Sequence, residues 1–371
     1  MKKIVFVLIT IALFFLGSSY IYTHFDDLKR YWGNEDWKLV EIIDTISVSN
    51  YFAIDGNASN LIVVGNNYLH GYGPNGKENF DINVALKNAV TETEGDYCII
   101  GEKDASKVYM INSNAKIWDF DIEGNILDVS VNKNGYGAII YKQVGYKSLI
   151  KVVKPDGDEL FTTYLASTYA IDAEISNDNK ILAIAELDTD GVNVESTVEL
   201  VSMSDLDSKN SKKLNLIEDT LITNIEYDSK NRLLVQTDKD VFIVEDGKMN
   251  PFIETFSDKT KIVSIENSNN PITISKVENG LFDTNYVLKI YEYKSQGAHA
   301  EEYQIDEAPA MVEVKDGKVA MLLEKELLVV NSNAKLIKKY DVLGSIKSIV
   351  IYNNGNALAV VYRDKIEFMK I

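Results

Sequence analysis

Cysteine is almost absent: Cys98 is the single one in 371 residues. That count excludes an intrachain disulfide, a thiolate metal cluster and a dithiol redox pair. Cys98 sits in Asp96-Tyr-Cys-Ile-Ile100, an apolar strand-like run, and is expected to be a buried, inert thiol. Proline is scarce, with five residues, and no Gly/Ser-rich tract interrupts the chain, so no flexible linker announces a domain boundary. The three histidines, His24, His70 and His299, stand far apart without zinc-ligand spacing. Positive charge is the minority: 38 Lys and Arg against 56 Asp and Glu leave a net charge of −18. An acidic body repels phosphate backbones, which argues against nucleic acid as a partner.

Catalytic signatures are missing as well. There is no Gly-x-Ser-x-Gly elbow, no His-Glu-x-x-His pair and no Walker loop. Carboxylates are too numerous for one acid–base pair to stand out. These absences predict a protein that is not an enzyme and carries no cofactor.

What is present begins with an apolar run. Met1-Lys2-Lys3 precedes Ile4–Tyr22, 19 residues without a charge. As a helix this run is about 28 Å long, roughly the thickness of the bilayer's hydrocarbon core. Ile4, Phe6, Leu8, Ile11, Phe14 and Phe15 would face lipid, with Tyr20 and Tyr22 at the interface. Lys2 and Lys3 keep residues 1–3 in the cytoplasm and place everything after residue 22 outside it. The competing reading is a cleaved signal peptide with Gly17 and Ser19 before the cut. The anchor is preferred, because Tyr20–Tyr22 carries the apolar run past that point. Residues 23–36 then form a short juxtamembrane segment.

From Trp37 to Ile371 the pattern is all-β. The 21 Tyr and 13 Phe suit strands better than helices. Ile222–Phe252 shows the unit: runs of about five or six apolar-patterned residues separated by Asn, Asp and Gly, the residues that tolerate tight reversals. First strands are expected at Tyr51–Ile54, Val90–Thr93, Ile126–Val131, Ala170–Ile175, Ile222–Tyr227, Ile262–Ile265, Met311–Val314 and Ile346–Ile351. They recur roughly every 40 residues, the period of propeller blades. Second strands such as Ile62–Val64, Cys98–Ile100 and Ala357–Tyr362 are apolar on both faces. Asp55-Gly56, Asn134-Gly135, Asp156-Gly157, Asp246-Gly247, Asp316-Gly317 and Asn354-Gly355 read as hairpin turns. Ile111-Asn-Ser-Asn-Ala-Lys-Ile117 recurs as Val330-Asn-Ser-Asn-Ala-Lys-Leu336, in both cases where a third strand should turn into a fourth.

The expected fold of residues 37–371 is therefore a β-propeller with eight blades, seven being the alternative because Thr189–Leu221 and Pro271–Tyr303 carry insertions. The last unit lacks a fourth strand, and Lys38–Ile43 is expected to supply it, closing the ring and removing an exposed edge.

Three motifs have plainer readings. Gly71-Tyr-Gly-Pro-Asn-Gly76 matches the dinucleotide fingerprint but leads into strand-like sequence, so a hairpin is expected. Asp188, Asp190 and Asn193 resemble the front of a calcium loop, yet position twelve would be Thr197 rather than a bidentate Glu. Trp118, Phe120 and Ile122 read as the packed face of an outer strand, and Tyr68, Tyr72 and Trp118 as inter-blade packing rather than a sugar-stacking surface.

Taken along its whole length, the chain resembles a family of uncharacterised single-pass propeller proteins of clostridial, low-GC Gram-positive bacteria. The likeness rests on Lys2-Lys3 before Ile4–Tyr22. It rests also on Ile175-Ser-Asn-Asp-Asn-Lys-Ile-Leu-Ala-Ile184 and Val350-Ile-Tyr-Asn-Asn-Gly-Asn-Ala-Leu-Ala-Val360, which look like the degenerate hairpin of quinoprotein-like and WD-like propellers. The resemblance implies a membrane setting and no established activity. The expectation is a membrane-anchored, extracytoplasmic interaction module with a protein partner at the cell envelope. The alternative is a sensor of an envelope ligand or glycan. No oligomeric state follows from the sequence.

Overall fold

Leu61 and Val63 face one side of their sheet, Ile62 and Val64 the other, and all four are fully buried. A strand with no polar face needs a hydrophobic layer on each side, so its sheet has to stand between two others. That requirement is met all the way round. A computed structural model describes residues 42–371, apart from 192, 205–210, 216–219, 246, 255–259, 266–269, 280–282 and 295–296. The described residues form eight four-stranded antiparallel sheets, arranged as the blades of a propeller.

The first strand of each blade is innermost: Tyr51–Gly56, Val90–Glu94, Asn125–Val131, Tyr169–Ile175, Ile222–Tyr227, Thr260–Ser264, Met311–Lys315 and Ser348–Tyr352. Each agrees with its expected position to within two residues, and eight blades replace the alternative of seven. The long hairpin of Ile181–Ser202 takes up the first part of the Thr189–Leu221 insertion, whose residues 205–210 and 216–219 lie outside the described part, and the long strands of Ile272–Ile305 take up the second insertion.

Eight apolar clusters lie between the blades, each shared by two neighbours. Alternate residues of one second strand serve the clusters on either side. Ala183 and Ala185 pack toward blade 5, whereas Leu182 and Ile184 pack toward blade 3. Burying a side chain the size of Leu182 or Ile184 stabilises the fold by about 1.5–3 kcal/mol. Cys98 belongs to the layer between blades 1 and 2, fully buried, and burial holds its thiol well above the ordinary range.

The ring is closed by its ends. Ile42–Ser47 pairs antiparallel with Lys365–Lys370, in the order closing strand, Lys365–Lys370, Ala357–Val361, Ser348–Tyr352. This corrects the expected closing strand, Lys38–Ile43. The described closing strand shares only Ile42 and Ile43 with that expectation and continues to Ser47, opposite Lys365, while residues 38–41 lie outside the described part. Two alternating runs abut here, and only the partner strand distinguishes them.

Inner strands run into turns that share one device. A side-chain oxygen on the first turn residue accepts backbone N–H groups further along. Asn57 Oδ1 takes Ser59 and Asn60, Asn132 Oδ1 takes Asn134 and Tyr136, Ser176 Oγ takes Lys180 and Ile181, and Asp228 Oδ1 takes Lys230 and Arg232. The short polar side chain fixes the turn in place of a backbone partner. The same turns reach the next blade: Asn132 Nδ2 donates to Ser176 O, Asn177 Nδ2 to Asp228 O, and Asn353 N to Asn57 O.

Two details differ from expectation. Asp55-Gly56 is not a turn: Gly56 ends its strand with Tyr352 so close that a Cβ would come within 2.5 Å of the Tyr352 Cβ. The repeated heptapeptide occupies the third-to-fourth hairpin of blades 2 and 7, but in different registers. Ile111 pairs with Lys116, whereas the equivalent Val330 pairs with Leu336. A one-residue slip exchanges the faces of a strand. Ile117 is accordingly exposed while its counterpart Leu336 packs against a core cluster.

Candidate functional site

Five of the eight inner strands carry a β-bulge near their start, between Tyr51 and Ala53, Ile126 and Asp128, Ala170 and Asp172, Ile222 and Asn224, and Thr260 and Ile262. An extra residue kinks the strand and re-aims the side chains beyond it. Asp128 and Asp172 follow two of these bulges. Each accepts the next backbone N–H, from Val129 at 2.9 Å and Ala173 at 2.7 Å. Asp172 Oδ2 also takes Ile225 N of blade 5 at 2.8 Å.

The inner strands together enclose an axial cavity of about 690 Å³. Seven carboxylates from six blades line it: Asp55, Glu92, Asp128, Asp172, Glu174, Glu226 and Glu313. Between them lie aliphatic groups, among them Ile54, Ile171 and Val312, and neutral acceptors such as Thr223, Asn224 and Gln236. No Lys, Arg or His is among the described lining residues. At one end of the inner strands Lys315 Nζ donates to Thr93 Oγ1 at 2.6 Å and stands 3.7 Å from Asp55 Oδ1.

Crowding carboxylates in a low-dielectric enclosure opposes their ionisation. Burial, then repulsion from Glu226, Asp172, Asp128 and Asp55, pushes Glu92 well above the ordinary glutamate range. Burial, then repulsion from Glu92, Glu226, Asp172 and Glu94, does the same to Glu174. Burial raises Asp128 against the lowering effect of the Val129 N–H. Such a cavity favours cations, repels anions and holds protons above the pH at which free carboxyls lose them.

A second feature lies on the rim of blades 3 and 4. Tyr146 and Tyr164 rest 5.1 Å apart between ring centres, and Lys147 Nζ stands 5.0 Å over the ring of Tyr169. Val144 is 99% exposed, Tyr164 57% and Val194 44%. The loop after Gly137–Lys142, the connection between blades 3 and 4 and the hairpin after Ile181–Asp188 all open on this rim.

Residues singled out in the sequence fall in several places. Ile4–Tyr22, with Ile4, Phe6, Leu8, Ile11, Phe14, Phe15, Tyr20 and Tyr22, lies outside the described residues. Within the described residues no helix is long and apolar enough to cross a membrane. Asp188 and Asp190 sit at the tip of the Ile181–Asp188 to Glu195–Ser202 hairpin; Asp188 Oδ1 accepts Asp190 N, and Asp190 pairs with Lys147 at 2.6 Å. Thr197 is paired within the strand, opposite Glu186. No group of three or more His, Cys, Asp or Glu among the described residues is arranged to hold a metal ion. Gly71–Gly76 spans a hairpin closed by Gly73 N to Lys77 O, and Gly71 gives room to the Phe80 ring. Trp118 and Tyr72 are buried in different inter-blade layers and do not form a stacking surface. The acidic cavity went unread in the sequence. Its signal is phase: the acids recur at the inward positions of first strands.

The ring geometry has counterparts among solved structures. The C-terminal WD40 domain of Sif2 superposes with a TM-score of 0.58 at 13% identity, covering 90% of this chain and 99% of that one. Raptor of Chaetomium thermophilum (TM-score 0.46, 10% identity, 77% and 28% covered) and a functionally unknown protein of Desulfotomaculum acetoxidans (0.44, 11%, 71% and 87%) are more distant. At these identities the likeness establishes a WD40-like propeller fold and nothing more. No curated protein matches the chain. Residues 34–371 match the model of the family of unknown function DUF5711, and the chain belongs to that family.

Proposed function

We propose that the protein is a non-catalytic interaction propeller, held on the outer face of the cytoplasmic membrane by Ile4–Tyr22, and that it docks a protein partner of the cell envelope. A WD40-like propeller is compatible with such a scaffold. The observation that carries the reading is the rim cluster of Val144, Tyr146, Tyr164 and Tyr169. Tyrosines offer large contact area at low entropic cost and dominate interface hot spots. Eight blades fixed by shared cores hold these loops in one arrangement, so little ordering cost accompanies docking.

The test places a photo-cross-linking residue at Val144 in cells, with Leu343, which is 87% exposed in the connection between blades 7 and 8, as the control. The reading expects one discrete adduct from position 144, none from 343, and loss of the adduct on Tyr164→Ala. Identical adduct patterns from both positions would contradict it. Protease treatment of intact protoplasts should remove the propeller; protection of the propeller would refute the external placement.

A further inference from the structure

Glu174 is only 6% exposed and opens onto the axial cavity, and no hydrogen bond or ion pair within the described residues engages it. The charged groups that act on it most strongly are Glu92, Glu226, Asp172 and Glu94, all of its own sign, and the Tyr227 hydroxyl also lies within its field. Glu92, half-buried on the inner strand of blade 2, is likewise without a partner among the described residues. Buried carboxyls are ordinarily paired or hydrogen-bonded, because leaving them bare is unfavourable. A cation entering the cavity would supply the charge and hydrogen bonds that the described residues do not.

We infer that the axial cavity binds an aliphatic polyamine, with its ammonium groups on Glu174 and Glu92 and its methylenes against the aliphatic lining. Three observations select this class of cation. A bare hard metal ion needs six to eight oxygens at about 2.3–2.6 Å, and no group of three or more acidic side chains among the described residues closes on such a point. The space, about 690 Å³, suits an organic ligand rather than an ion. The wall alternates carboxylates with Ile54, Ile171 and Val312, matching a chain in which charge alternates with hydrocarbon. Lys315 is engaged with Asp55 and Thr93 at one end.

Binding is linked to protons. Glu92 faces Glu226, Asp172, Asp128 and Asp55; Glu174 faces Glu92, Glu226, Asp172 and Glu94; Lys315 faces Asp55, Glu313, Glu94 and Asp316. A bound ammonium favours the ionised form of Glu92 and Glu174, so binding expels the protons they hold. Affinity therefore rises with pH. The inference does not depend on the rim cluster, and its failure would leave the interaction reading standing.

Calorimetric titration of the full-length chain in detergent micelles tests it, using spermidine, calcium chloride and a lysine-rich peptide as separate probes. Saturable spermidine binding is expected, weakening as the pH is lowered and with added salt. Glu174→Gln and Glu92→Gln should each weaken it about tenfold. Both variants should keep the β-type circular dichroism and melt no lower than the parent, since each removes a repelled charge, so lost binding cannot be ascribed to unfolding. Absent spermidine binding, calcium binding as tight as spermidine, saturation by the peptide alone, or undiminished affinity in both variants would each overturn the inference.

Discussion

Lys315 Nζ, at the end of the inner strand of blade 7, donates to Thr93 Oγ1 of blade 2 at 2.6 Å, joining residues 222 positions apart in sequence. Thr93 Oγ1 in turn lies 2.9 Å from both Asp55 Oδ1 and Gly56 O of blade 1. One ammonium thus ties together blades that are not neighbours. Burial alone would lower its pKa, but Asp55, Glu313, Glu94 and Asp316 together hold it above the usual lysine value.

Lys315→Met should therefore destabilise the ring. It takes the ammonium away from Asp55 and Glu94, leaving Asp55 with Thr93 Oγ1 and Gly56 N, and removing one partner of a buried pair costs about 3 kcal/mol. Urea unfolding at neutral pH measures it. Because the folded pKa of Lys315 is raised, its contribution is complete below the unfolded lysine value of 10.5 and fades only as pH rises through the folded one. The deficit of the variant should accordingly be constant through the neutral range.

Glu92 and Glu174 predict the opposite pH behaviour. Both carboxyls are raised above 4.5 in the folded state, so the native protein holds more protons than the unfolded chain. Stability then falls as pH rises from 4.5 through the raised values. Without added ligand, Glu92→Gln and Glu174→Gln should match the parent near pH 4 and melt above it at pH 8. Melting curves across that range decide it; variants less stable than the parent at pH 8 would count against the repulsion.

Asn132 is 4% exposed and works in both directions, accepting from Asn134 and Tyr136 while donating to Ser176 O and Asn179 Oδ1 of blade 4. Asn132→Ala removes the acceptor of Asn134 N and Tyr136 N and one donor each to Ser176 O, which keeps Asn179 N, and to Asn179 Oδ1, which keeps Asn134 Nδ2. It should cost about 1–3 kcal/mol. A substitution at exposed Asn114, whose turn lies in blade 2, should cost much less in the same denaturant titration.

Cys98 offers a probe of opening. Its thiol is fully buried between blades 1 and 2 and held high by burial. Alkylation of the native protein should be slow and accelerate sharply at the unfolding transition. Rapid labelling in native buffer would mean that these two blades part readily.

The blades were legible because their cause is local. A second strand buried on both faces, as in Ala357–Val361, has to be apolar throughout, and Asn354-Gly355 has to reverse the chain with φ of +52° and +72°. Gly56 misled because close approach to Tyr352 and tight turning both select glycine. The acidic cavity stayed hidden for a different reason. Asp172 in an inner strand and Glu195 at the start of an outer hairpin strand look alike in sequence; only the bulge at Ile171 and the ring closure turn the first inward. The two copies of Asn-Ser-Asn-Ala-Lys carry the same limit, since their registers are set by partner strands and not by the shared letters.

Closure of the ring by the N-terminal strand underlies all of these effects, and a cross-link tests it directly. Ser47 and Lys365 stand opposite each other in the register, and opposed Cα atoms about 4.5–5.5 Å apart can carry a disulfide. Ser47→Cys combined with Lys365→Cys should form that bond under mild oxidation and change mobility on a non-reducing gel, whereas Ser47→Cys with Lys370→Cys should not. Cross-linking of the second pair, or of neither, would contradict a propeller fastened by its first strand.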